Sequence, residues 1–147
     1  MDTLRASGSL PFVSKPVTIG KNQYLDGGIA DSIPFEWLAG QGCDKLIVIL
    51  TRDMEYRKKP MSPVLVELYG RKYPQIAERL LQRHNNYHRA VEELTKWEAD
   101  GKAMVIRPSS PIDIRRIEKN PDKLQAVYEL GVKDCNANLQ KIKAFIK

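Results

Sequence analysis

Two stretches stand out from the polar and apolar mixture around them. Residues 44–51, "DKLIVILT", hold an unbroken apolar run from Leu46 to Leu50, and residues 102–108, "KAMVIRP", hold a shorter one closed by Pro108. β-branched runs without polar alternation predict strands buried on both faces, as in parallel sheets covered by helices. Between them Ile76, Leu80, Tyr87, Val91 and Leu94 follow the spacing of one helix face, widened by Ala77 and Leu81. Downstream, Asn120 and Pro121 read as a cap and first-turn pair. The helix they open is expected to end near Gly131, and a last helix would put Val132, Cys135, Leu139, Ile142 and Phe145 on one face.

Upstream, residues 2–5 read as the end of a helix, broken by "ASGSLP". "FVSKPVTI" and "QYL" read as short strands around the turn residues Gly20, Lys21 and Asn22. Ser32 with Pro34 reads as a helix start, and "PFEWLAGQ" as a helix stopping at Gly42. Strand, helix, strand and helices in this order predict an α/β fold. "RKKPMSP", residues 57–63, is expected to be an exposed loop, and there is no internal repeat or low-complexity tract.

Composition narrows the class. With 42% hydrophobic and 29% charged residues in 147, the chain reads as globular rather than collagenous, coiled-coil or disordered. No apolar run approaches the roughly 20 residues of a membrane span. The first residues lack a basic segment followed by an apolar one, so a soluble, cytoplasmic protein is expected. Cys43 and Cys135 belong to no Cys/His cluster and read as separate thiols. The net charge of +6 would suit nucleic acid or an anionic membrane surface. Most basic residues alternate with acids, however, and no nucleic-acid motif occurs, so the charge reads as a solvated surface.

The chemistry concentrates in residues 24–35, "YLDGGIADSIPF". Asp26 precedes two glycines, which permit a tight turn and close approach of backbone. Such a carboxylate is either an ordinary turn residue or the orienting acid of an active site, and α/β sheets build sites at the C-terminal ends of strands. His84 and His88 have a spacing that could hold a metal, but no third ligand is evident and His84 falls on the apolar stripe, which favours packing. Asp31 would anchor the turn, Trp37 and Trp97 would pack, and Arg5 and Arg52 are candidates for binding an anionic head group.

"RASGSLPFVSKPV", residues 5–17, followed by "YLDGGIADSIPF", resembles the second conserved block of the patatin-like phospholipases, in particular bacterial patatin-like esterases. The resemblance covers residues 4–51. It implies a three-layer α/β/α fold with a mostly parallel sheet. Residues 1–56 would be part of the catalytic domain, and residues 57–147 a mainly helical region with one further strand in the same compact unit. It also implies a serine–aspartate dyad acting on acyl esters of lipids, with peripheral membrane contact and no metal or organic cofactor. Carried over, Asp26 is the dyad acid, and Gly27 and Gly28 allow its backbone geometry.

The nucleophile is missing. Ser7, Ser9, Ser14, Ser32, Ser62, Ser109 and Ser110 all lack the flanking glycines of a G-x-S-x-G elbow. The glycine-rich oxyanion loop is missing too, and in the family both precede this block. The expectation is therefore the C-terminal part of a hydrolase, inactive alone, which would self-associate through its truncated surface. The alternative is a non-catalytic binding or regulatory module whose loop at residues 57–59 meets an acidic partner.

Overall fold

The computed structural model describes residues 1–115 and 117–147. In chain order the elements are α1 (Asp2–Ser7), β1 (Val17–Ile19), β2 (Asn22–Tyr24), a 3₁₀ turn (Gly27–Ile29), α2 (Phe35–Ala39), β3 (Leu46–Ile49), α3 (Pro63–Gly70), α4 (Pro74–Ala99), β4 (Ala103–Ile106) and α5 (Pro121–Phe145). They form two compact units, one of residues 1–34 and 58–91, the other of residues 35–57 and 92–147. The fold is mixed helix with two small sheets, one of them parallel.

In the first unit β1 and β2 form the expected hairpin, with Val17 opposite Tyr24 and Gly20 at φ +61° in the turn. The strand is shorter than "FVSKPVTI", because Phe12 takes a positive φ of 66° and turns the chain before it extends. Phe12 instead lays its ring 4.5 Å from that of Tyr69. Ile29, Val66 and Leu80 make the buried centre, with Leu25, Met61, Ile76 and Ala77 packed around it. Leu80 comes from the stripe read on α4, so that periodicity marked the core correctly.

In the second unit β3 and β4 pair in parallel, Leu46 opposite Ala103 through Ile49 opposite Ile106. The parallel pairing matches the sequence expectation, and burial on both faces holds for β4, where Ala103, Val105 and Ile106 are buried, but not for β3. Ile47 is 40% and Ile49 73% exposed, whereas Leu46 is buried. Side chains alternate across a strand, so one face of β3 is covered and the other is bare. An apolar run tells which residues favour a sheet interior and leaves open whether anything covers the second face. Phe35 and Trp97 pack edge to face with centroids 5.0 Å apart, which bears out the packing role of Trp97. Trp37 is exposed.

Two helix boundaries differ from the sequence reading. The helix after Pro34 starts at Phe35, and the Ser32 hydroxyl donates to the Gly28 carbonyl at 2.9 Å instead of capping it. The two helices expected around Gly131 are one. Asn120 caps α5 as expected, its side chain accepting from the backbone of Asp122 and Lys123, and the helix then runs on through Gly131. Gly131 is absent from the glycines with positive φ, so it does not end the helix. A glycine inside a helix costs about 1 kcal/mol relative to alanine. No close neighbour demands it, for a Cβ added there meets no atom within 4 Å.

The buried stripe of α5 also differs from the expected one. Val132, Cys135 and Leu139 face outward, and the more buried positions are Val127, Leu130, Asp134, Asn138, Ile142 and Phe145. Two polar residues lie on that stripe because they are satisfied there. An Asp134 oxygen accepts from the Ser109 backbone N–H at 2.9 Å, and the Asn138 amide donates to the Asp134 carbonyl at 2.8 Å. The Ser109 hydroxyl and backbone N–H hold the Asp134 carboxyl below the usual aspartate range.

Candidate functional site

β2 leads through Leu25 into Asp26, whose backbone N–H donates to the Ser9 carbonyl at 2.9 Å. Ser9 is itself buried, and its hydroxyl donates to the Arg5 carbonyl at 2.8 Å. The segment after α1 thus ties down the residue carrying the carboxylate. Asp26 then caps the 3₁₀ turn, with Oδ1 accepting from the Gly28 N–H at 2.8 Å. This is the Asx turn that Asp-Gly sequences favour. The other oxygen, Oδ2, makes no hydrogen bond among the described residues, so one side of a half-buried carboxylate is fixed and the other is open.

The two glycines are not equivalent. Neither takes a positive φ. A Cβ on Gly27 would meet open space, whereas one on Gly28 would lie 3.1 Å from Asp26 Oδ1 and 3.8 Å from Arg83 Nη2. Gly28 therefore lets the carboxylate and a guanidinium approach the same point. Gly28→Ala is expected to push the Asp26 side chain off its turn and Gly27→Ala to leave it in place. Chemical shifts of the residue 26–33 amides in labelled protein would show this, and equal responses to the two changes would refute the assignment.

Arg83 and Lys58 complete the surroundings; Arg83 was not singled out from the sequence, and Lys58 was read only as part of the basic loop at residues 57–59. Arg83 Nε donates to the Gly28 carbonyl at 2.9 Å, and the Lys58 ammonium donates to Ser32 Oγ at 3.2 Å while lying 4.5 Å from the Tyr87 ring centroid. Arg83 follows Leu80 by three positions and precedes Tyr87 by four, so it shares the buried face of α4, and that spacing was a usable signal. Asp31 anchors the turn as expected, its Oδ1 accepting from the Ile33 N–H at 3.0 Å.

The remaining candidates make no hydrogen bond to the Asp26 turn among the described residues. His88 Nε2 accepts from the Lys58 backbone N–H at 3.0 Å, and His84 stands edge-on to His88 with its Nδ1 buried and without a hydrogen-bond partner among the described residues. Both are packed histidines. No group of three metal-ligating side chains occurs among the described residues. Arg5 pairs with Asp2 on the surface at 3.4 Å. Arg52 lies over the Tyr56 ring at 4.8 Å, in the second unit. Both cysteines are exposed free thiols. No helix among the described residues is long and apolar enough to cross a membrane.

Residues 1–39, which include Asp26 and its turn, match the family model of the patatin-like phospholipases. Residues 73–147 match a domain of unknown function, DUF6363. The chain is also similar to the uncharacterized protein YjjU of Escherichia coli (strain K12), at 30% identity over 135 residues, 89% of this chain and 38% of that protein. It thus spans well under half the length of this relative. No solved structure matches. Arg83 lies in the second matched segment and bonds a residue of the first, so the Asp26 turn draws on both. By the match over its C-terminal half, the chain belongs to the DUF6363 family, and its N-terminal segment is patatin-related.

Proposed function

We propose that this chain carries the acid of a serine–aspartate dyad in a patatin-like lipid acyl hydrolase, with Asp26 as that acid. The serine and the oxyanion donors come from sequence outside these 147 residues. The reading rests on the half-open carboxylate: Oδ1 is pinned by the Gly28 N–H, and Oδ2 has no partner among the described residues. A base must be both aimed and available, and this turn provides both.

In the reaction Asp26 takes the proton of the serine hydroxyl as Oγ attacks the ester carbonyl. Collapse of the tetrahedral intermediate breaks the bond to the leaving alcohol, which receives that proton, and leaves an acyl-serine. Water, deprotonated in its turn by Asp26, releases the fatty acid and restores the serine. Backbone N–H donors stabilise the oxyanion in both halves. Glycerophospholipids and related acyl esters are the substrate class. The three-layer sheet, contact with a membrane surface and self-association of the isolated chain through its bare β3 face belong to the same reading.

Hydrolysis of a short-chain chromogenic ester tests it. The 147-residue chain is expected to give only the buffer rate, and the same chain preceded by a segment bearing a G-x-S-x-G elbow is expected to turn over. Activity in the short chain, or none in a folded longer protein, would overturn the reading. The second result would favour a binding module, which the DUF6363 match over half the chain also accommodates.

A further inference from the structure

The second unit holds a cavity of about 620 Å³ where its two parallel strands end. Residues directly after β3 and β4, including Arg52 and Arg107, form its floor, and α5 closes one side. In open α/β sheets this end of the strands is where ligands sit. The volume lies within the roughly 300–1,000 Å³ of small-molecule sites. Ile106, Ile114, Val127 and Leu130 make the walls apolar.

Its charges are mostly cationic. Arg52, Arg107 and Arg115 line it together with one acid, Asp134. Asp134 is committed to the fold through Ser109, and Arg107 is paired with Glu98 at 3.0 Å. Arg52 is stacked on Tyr56 and pairs with no acid among the described residues, and the same holds for the Arg115 guanidinium. An apolar chamber with two cations uncommitted to acids suits a molecule with an apolar tail and an anionic head.

Gly131 points the same way independently. It lines the cavity, sits inside a long helix where alanine would serve better, and has neither an unusual φ nor a close neighbour to require it. What its missing side chain does is leave the cavity open.

We propose that this cavity binds an amphipathic anion, an acyl or alkyl chain ending in a carboxylate or phosphate, with the tail against α5 at Gly131 and the head at Arg52 and Arg115. The proposal does not depend on the hydrolase reading. The test is isothermal titration of the chain with decanoate, decyl phosphate, decanol and decyltrimethylammonium, all below their aggregation limits. Saturable one-to-one binding of at least one anion, at least tenfold tighter than decanol and with no uptake of the cation, is expected. Preference between the two anions identifies the head group as carboxylate or phosphate. Gly131→Leu should weaken anion binding at least tenfold without lowering the melting temperature. Arg115→Gln, an exposed change that leaves the walls intact, should weaken the anions about tenfold and decanol hardly at all, and it decides the matter if Gly131→Leu fails to fold. Equal binding of all four probes, no saturable binding, or wild-type affinity in Arg115→Gln overturns the proposal.

Discussion

Asp26→Asn, placed in the longer protein with its serine elbow, is expected to lower kcat for a chromogenic ester by about 10²–10⁴-fold, the usual size of a general-base contribution. The change is nearly isosteric. The amide oxygen can still accept from the Gly28 N–H, the contact that holds Oδ1 at 2.8 Å, so the turn should persist. What is lost is the ability to take a proton, because an amide is not a base at neutral pH. KM should move little, since no step of substrate binding is assigned to Asp26. Asp31→Asn is the matched control. Asp31 also holds a backbone N–H, that of Ile33 at 3.0 Å, and it belongs to the same segment, yet it has no assigned part in proton transfer. Its kcat should stay within about a factor of two, consistent with the small effects of surface substitutions. If Asp26→Asn and Asp31→Asn behave alike, Asp26 is a turn residue and the dyad assignment is wrong.

What could be read along the chain, and what could not, divides by range. The hairpin turn at Gly20, the parallel pair and the Leu80 face of α4 each follow from periodicity or from a local turn. The Asp26 turn was equally local, because an Asp-Gly sequence favours a bond from the carboxylate to the backbone N–H two residues on, here that of Gly28. Arg83 and Lys58 reach that loop from 55 and 26 residues away, and chain distance hides such partners. Gly131 misled for a different reason. Glycine ends a helix only when it takes the left-handed conformation, and a sequence does not state φ. Asp134 and Asn138 broke the hydrophobic pattern of α5 because their polarity is answered by hydrogen bonds rather than by exposure. The bare face of β3 shows the limit of an apolar run, which specifies a preference for burial without supplying the cover.

Leu80→Ala is expected to destabilise the chain by about 2–5 kcal/mol, the range for removing a buried leucine and leaving part of its cavity. Leu80 is 1% exposed and shares a buried cluster with Ile29 and Val66, and its neighbour Leu81 is 46% exposed. Leu81→Ala should cost well under half as much, since less surface returns to water. Against a total stability of about 5–15 kcal/mol for a small domain, the Leu80 change is severe. Urea unfolding followed by circular dichroism measures both variants, and equal shifts would mean that Leu80 is not a core residue. Trp37 and Trp97 both lie in the second unit, so tryptophan fluorescence adds a second probe. Coincident midpoints in the two signals would show that a lesion in the first unit is felt by the second. The consequence reaches the candidate site directly. Ile29 closes the 3₁₀ turn that Asp26 caps, so a cavity at Leu80 removes the packing beneath that turn. In the longer protein, at temperatures where the variant remains folded, Leu80→Ala should therefore lower kcat as well as stability, while Leu81→Ala lowers neither appreciably.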